Sequence, residues 1–216
     1  MIKAVLFDLD GTLVDSLDDI ADTGNRILRE YGYPPREANE YKYLVGNGFN
    51  ILMERLFPKD FLSKEKLIAM REIWRSHYGA HCLDKTRAYA GMPETLEALF
   101  ESGIRLGVIT NKPDEQAQKI IGALFKGGLF DCVSGIAEGV PVKPDPYLCL
   151  KAFEIIGVKN FECLFVGDTS VDIKTAINSG CVPVGALWGF RTEEELMNAG
   201  ASQIIKKPSD LLALCG

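Results

Sequence analysis

The sequence has no apolar run that approaches the ~20 residues a membrane-spanning helix needs. It also has no CxxC pair. The six cysteines, Cys82, Cys132, Cys149, Cys163, Cys181 and Cys215, are scattered along the chain. That spacing argues against a zinc site or a disulfide frame and for reduced thiols, with the cytoplasm as the expected compartment. Histidine is scarce, at two residues. His77 and His81 stand four apart, but no Glu follows His77 in an HExxH pattern and no third ligand is evident. Solvated histidines are therefore the expectation. Positive charge is the minority sign: Lys and Arg total 24 against 30 Asp and Glu, a net charge of -6. Such a chain is a poor partner for nucleic-acid backbones, and any anion it binds must meet positive groups placed locally. No internal repeat or low-complexity tract is visible. The opening stretch, Lys3 to Phe7, is too short for a secretory apolar region and runs into Asp8 and Asp10, so no signal peptide is expected. Neither a membrane nor a nucleic-acid partner is anticipated, and a monomer or weak homodimer is.

What remains is an ordinary globular composition, 47% hydrophobic and 25% charged, over 216 residues. That is enough chain for one core, or a core with a smaller insertion. Short apolar runs bounded by polar or glycine residues read as buried parallel strands: Ala4 to Phe7, Leu106 to Thr110, Leu164 to Gly167 and Pro183 to Leu187. Helical patterns lie between them, at Pro93 to Ser102, Asp114 to Phe125, Pro146 to Ile156, Val171 to Ser179 and Thr192 to Ala199. Alternation of this kind predicts an α/β fold, a Rossmann-like parallel sheet core covered by helices on both faces. Residues 17–81 break the alternation. They carry only helical periodicity, at Asp18 to Tyr31, Phe49 to Leu56 and Ser63 to Tyr78. The expected division is a core of residues 1–16 and 82–216 with an inserted all-helical cap, residues 17–81.

Ligands of open α/β sheets bind outside the carboxyl ends of the strands. The strand ends here are unusually rich in chemistry. The first runs into Asp8-Leu9-Asp10-Gly11-Thr12, the second into Thr110-Asn111-Lys112, the third into Gly167-Asp168-Thr169-Ser170-Val171-Asp172, and a further loop carries Lys143-Pro144-Asp145. Asp8 and Asp10, two apart on extended chain, share a face. Two carboxylates that close do not both ionise comfortably, so one of them is expected to have a raised pKa and to act as an acid. Asp168 completes a hard-oxygen set suited to Mg²⁺. Asp172, one turn along the next helix, could orient Asp168 or a metal-bound water, or could simply favour the helix start. Lys143 and Thr110 offer an ammonium and a hydroxyl for phosphate oxygens. Thr110 and Asn111 could equally be turn residues. Arg191, in the stretch Trp188 to Arg191, is expected to serve a rim or packing role.

Four motifs in order, DLDGTL at Asp8 to Leu13, Thr110-Asn111, Lys143-Pro144 and GDTSVD at Gly167 to Asp172, resemble the haloacid dehalogenase superfamily over nearly the whole chain. The second aspartate, Asp10, resembles the phosphotransferase branch of that superfamily, and the helical insert resembles its small-cap subfamily. Within the insert, Leu44-Val45-Gly46-Asn47-Gly48 followed by Met53-Glu54-Arg55-Leu56 is similar to the cap of phosphoglycolate phosphatases. The resemblance implies a Mg²⁺-dependent phosphatase acting on a small phosphorylated metabolite. Asp8 is then the nucleophile and Asp10 the general acid/base. Thr110 and Lys143 stabilise the transferring group, with Asn111 assisting. Asp8, Asp168, the main-chain carbonyl of Asp10 and the neighbouring Asp172 form the metal site. Gly46, Asn47 and Gly48 would contact the substrate, or they could be only a helix-breaking turn. A sugar phosphomutase, nucleotidase or pyrophosphatase would use the same core. A phospho-receiver module would also carry an acidic pocket with Thr and Lys, but its aspartate closes a later strand and no cap intervenes.

Overall fold

The computed structural model describes all 216 residues, Met1 to Gly216. The chain forms two compact units, one of Met1–Asp15 with Ala88–Gly216 and the other of Ser16–Arg87.

The first unit is built on a six-stranded sheet, every pairing of which is parallel. Its strands are β1 (Ala4–Phe7), β4 (Arg105–Pro113), β5 (Cys132–Ile136), β6 (Cys163–Gly167), β7 (Val182–Ala186) and β8 (Gln203–Ile205), in the spatial order β5-β4-β1-β6-β7-β8. Two short strands, β2 (Val14–Asp15) and β3 (Arg87–Ala88), pair separately where the chain passes between the units. Helices α5 (Met92–Glu101), α6 (Asp114–Leu124), α7 (Tyr147–Ile156), α8 (Ser170–Ser179), α9 (Glu193–Ala199) and α10 (Leu211–Cys215) complete the unit. All four residues of β1 are buried, as a central parallel strand covered on both faces requires. Ala4 and Leu6 meet Phe165, Cys149 and Ala152 on the face where α7 packs. A smaller cluster joins Ile173 of α8 to Leu196 of α9 and Ala201.

Two strands of this sheet escaped the sequence pattern. In β5 only Cys132 and Gly135 are buried, so no apolar run marks it. Strand β8 has three residues and one buried side chain. The strands beside β1 fix the height of the site. Phe7 is level with Val108 of β4 and with Val166 of β6. Asp8 therefore leaves the top of the sheet one residue below both Asp168 and Thr110. Its N–H still donates to Val166 O, at 2.9 Å.

The second unit is all-helical: α1 (Leu17–Glu30), α2 (Ala38–Leu44), α3 (Phe49–Leu56) and α4 (Lys64–His81). Helix α1 buries Ile20, Ala21, Ile27 and Leu28 along one face. Ser63 Oγ caps α4 by accepting from Lys66 N, at 3.3 Å. Helix α2 was not anticipated, because only Tyr41 of its seven residues is buried. The Tyr41 hydroxyl donates to Asn25 Oδ1 at 3.1 Å, and the Asn25 amide also bonds both the N–H and the C=O of Arg36. Tyr31, Tyr33, Phe57 and Phe61 close the other end as an aromatic cluster of mostly edge-on contacts. The unit runs to Arg87, beyond the end of α4, because Asp19 of α1 accepts hydrogen bonds from Lys85 N, Thr86 N and Thr86 Oγ1. No helix of either unit is long and apolar enough to cross a membrane.

Candidate active site

The carboxyl ends of β1, β4 and β6, with the loop before α7, bring together most of the residues singled out in the sequence. Asp8, Lys143, Asp168 and Asp172 are all buried. Lys143 Nζ donates to Asp8 Oδ1 and to Asp172 Oδ1, each at 2.7 Å. The carboxylates of Asp8, Asp168 and Asp172 offer oxygens that all lie within 4.8 Å of one another. Asp168 accepts from Thr12 Oγ1 at 3.1 Å and from Phe190 N at 2.7 Å. Two of these three buried carboxylates thus share a single ammonium, and the third, Asp168, is held by neutral donors only.

The electrostatics follow from that shortage. Burial pushes the Asp8 carboxyl up from 3.8 to about 7, with Asp172 adding to the rise and Lys143 opposing it. Asp168 is raised well above the ordinary range by burial, then by Asp172 and Asp8, against the hydrogen bonds from Phe190 and Thr12. Burial alone would lower the Lys143 ammonium, but Asp172 and Asp8 hold it above its ordinary range. The mutual repulsion expected of Asp8 and Asp10 is the least of the influences on Asp8. The reason is geometric: Asp10 is partly exposed, and Lys112 Nζ lies 2.7 and 2.8 Å from its two oxygens.

In the sequence Lys112 is only part of a strand end, whereas the structure makes it the partner of Asp10. Alternation along β4 is the signal that could have found it, since Thr110 and Lys112 share a face while Asn111 points the other way. Thr110 is buried, and its Oγ1 accepts from Lys112 N at 3.2 Å. Asn111 is used structurally. Its Oδ1 accepts from Lys143 N at 2.7 Å and its Nδ2 donates to Lys143 O at 3.3 Å, which fixes the loop that carries the lysine. Asp172 is both a helix-start residue and a site residue, because Oδ2 accepts from Thr169 N and Thr169 Oγ1 while Oδ1 faces Lys143. The loop after β7 also contributes. Trp188 Nε1 donates to Thr12 O at 2.9 Å, and Phe190 gives its N–H to Asp168. Backbone donors of that kind leave no trace in residue type. Arg191 pairs with Glu195 at 3.3 Å.

Gly11, at φ +88°, is needed on two counts. Its backbone is left-handed, and a Cβ there would run into the Asp168 carboxylate. In the helical unit, Gly46 and Gly48 also have positive φ, and Gly48 caps α3. Asn47 between them is held by Arg55, whose Nη2 donates to Asn47 Oδ1 at 2.9 Å and whose Nη1 donates to Leu44 O at 2.8 Å.

The acidic cluster fits a hard divalent cation. Its donors are carboxylate oxygens, its negative charge exceeds the one buried ammonium, and Asp168 has no cationic partner at all.

The profile of the haloacid dehalogenase-like hydrolases matches residues 5–186. The chain is 35% identical to a phosphoglycolate phosphatase of Aquifex aeolicus, over 99% of this chain and 96% of that one. It is 30% identical to an N-acetylmuramic acid 6-phosphate phosphatase of Pseudomonas aeruginosa, over 99% and 97%. A solved haloacid dehalogenase-like hydrolase from Streptococcus pneumoniae superposes with a TM-score of 0.87 at 26% identity, covering 100% of this chain and 99% of that one. With its sheet, its strand-end aspartates and these relatives in agreement, the chain belongs to the haloacid dehalogenase-like hydrolases and is an enzyme of their phosphatase branch.

Proposed function

We propose that the protein hydrolyses a small phosphate monoester, 2-phosphoglycolate or a close relative, through a phosphorylated Asp8. The observation that carries this reading is the environment of Asp8. Lys143 Nζ holds Oδ1 at 2.7 Å, which leaves Oδ2 as the oxygen from which attack would come.

In this reading Asp8 Oδ2 forms a bond to phosphorus as the bond to the leaving oxygen breaks, and Asp10 delivers a proton to that oxygen. Water then attacks the aspartyl-phosphate, Asp10 takes the water's proton, and inorganic phosphate departs with Asp8 restored. Lys112 orients the Asp10 carboxylate by holding both of its oxygens. Lys143 keeps a fixed positive charge beside the nucleophile, and Asp172 and Asn111 keep Lys143 in place. Asp8, Asp168 and, by family resemblance, the main-chain carbonyl of Asp10 would hold Mg²⁺, with Asp172 close by. When bound, Mg²⁺ offsets the repulsion between Asp8 and a phosphate dianion.

Support for 2-phosphoglycolate comes from the relatives so named and from the Gly46-Asn47-Gly48 turn. Two glycines there allow close backbone approach around an amide side chain, which suits a small carboxylate. The N-acetylmuramic acid 6-phosphate phosphatase at 30% identity favours a second reading, a bulkier sugar phosphate. Phosphate release with Mg²⁺ over a panel containing both substrates separates the two. A higher kcat/KM for 2-phosphoglycolate is expected. A preference for the sugar phosphate would overturn the substrate, and no Mg²⁺-dependent release from any monoester would overturn the reaction.

A further inference from the structure

The stretch Trp188 to Arg191, between β7 and α9, has no step in the reaction, yet it is fitted closely around one side chain of the acidic cluster. Asp168 is held at both carboxylate oxygens: Phe190 N donates to Oδ2 at 2.7 Å and Thr12 Oγ1 donates to Oδ1 at 3.1 Å. Thr12 is held in turn, because Trp188 Nε1 donates to its carbonyl oxygen at 2.9 Å. One loop thus reaches both oxygens of Asp168, one directly and the other through Thr12. Past Phe190, Arg191 Nε lies 3.3 Å from Glu195 Oε2. Glu195 Oε1 accepts from Ser170 N at 3.3 Å, two residues after Asp168. The loop is fastened to the chain beyond Asp168 as well as to Asp168 itself.

Gly189 shows how close the fit is. Its φ lies outside the left-handed region, so no turn demands glycine there. Space does. A Cβ at Gly189 would run into Gly11 O and the Asp168 carboxylate, and the first of these is backbone that cannot swing aside. A Cβ at Gly11 would meet the same carboxylate from its own side. Asp168 therefore lies in a slot between two glycine backbones, with a donor for each oxygen. Both donors are neutral, so they fix the direction of the carboxylate without cancelling the charge that attracts a cation.

We propose that this loop sets the affinity of the acidic cluster for Mg²⁺, with Trp188 and Gly189 as positioning residues that act through Asp168. The proposal rests on the reading of Asp168 as a metal ligand. Partners that orient a ligating carboxylate are worth about 10–100-fold in metal affinity or activity.

The test is a calorimetric Mg²⁺ titration of the whole protein without substrate. Trp188→Phe keeps a ring and removes the indole N–H, and it should weaken Mg²⁺ about tenfold. Gly189→Ala, which displaces the loop, should weaken it at least as much. In phosphate release by Trp188→Phe, the Mg²⁺ concentration for half-maximal rate should rise by the same factor, and kcat at saturating Mg²⁺ should change by less. Wild-type Mg²⁺ affinity in Asp168→Asn would overturn the metal reading and this proposal with it. Loss of affinity in Asp168→Asn with wild-type affinity in both loop variants would overturn this proposal alone. A lower Tm in the loop variants with unchanged Mg²⁺ affinity would do the same, since the loop would then serve packing only.

Discussion

The sheet unit and the helical unit solve the problem of placing polar groups in opposite ways. In the sheet unit a set of charges at the strand ends lies inside. Asp8, Asp168, Asp172, Lys112 and Lys143 are all buried, and each is held by a named partner. In the helical unit most charges stay in solvent, and order comes from aromatic contacts and from amide bonds such as Asn25 to Arg36. Buried charge is unforgiving, because removing one partner strands the other in a medium that cannot solvate it. Edge-on aromatic packing with polar tips is more tolerant of change. A unit of the first kind suits fixed chemistry, and a unit of the second kind suits variation in what is recognised.

Substitutions should separate the two units sharply. Asp8→Asn removes the nucleophile and almost no volume, so kcat should fall about a thousandfold or more, each factor of ten being about 1.4 kcal/mol of barrier. A variant keeping a tenth of wild-type kcat would defeat the covalent mechanism. Lys143→Ala should be the most disruptive for folding, since it leaves Asp8 and Asp172 without their shared cation. A loss of about 3–5 kcal/mol in urea unfolding, alongside a sharp fall in kcat, is expected. A much smaller loss would show that the buried pairing is dispensable to the fold.

The next effect is set by pH. Asp8 has a folded pKa of about 7 against 3.8 for the ordinary carboxyl, so its contribution is fully present below the lower value and is lost as pH rises through the upper one. The shift of Asp168 has the same sign. Chelator-treated protein should therefore lose thermal stability between about pH 5 and pH 8, and Mg²⁺ should raise Tm more at the higher pH. An equal Mg²⁺ effect at both pH values would mean that the acidic cluster is not where the ion binds. The smallest effect belongs to the helical unit. Asn47→Ala should lower kcat/KM for 2-phosphoglycolate by more than for p-nitrophenyl phosphate, which lacks a carboxylate. Equal losses would leave the Gly46-Asn47-Gly48 turn a structural device.

The same contrast explains what could be read in advance. The strands around β1 were visible because a doubly covered parallel strand is apolar at every position, and Asp8, Thr110, Asn111 and Asp168 could be located as the residues that follow such strands. Strand β5 and helix α2 were invisible because each buries too little to impose a period. Lys112 is visible in the sequence as a basic residue, but its service to Asp10 depends on which face of β4 it occupies. The hold on Asp168 by Phe190 N was beyond reach, since any residue supplies that donor. Asp19 carries no signal of its own in the sequence, because a carboxylate on the first turn of a helix is ordinarily explained by the helix dipole.

That last residue has a consequence for how such enzymes can be recombined. A single buried carboxylate on α1 accepts from Lys85 N, Thr86 N and Thr86 Oγ1, so the first and last segments of the insert are stitched to each other. The insert is in this respect a cassette with its own clasp. A graft cut at Asp15/Ser16 and Arg87/Ala88 carries the clasp with it whole. One cut after His81, where the helical pattern ends, leaves Asp19 behind as a buried carboxylate with nothing to hold.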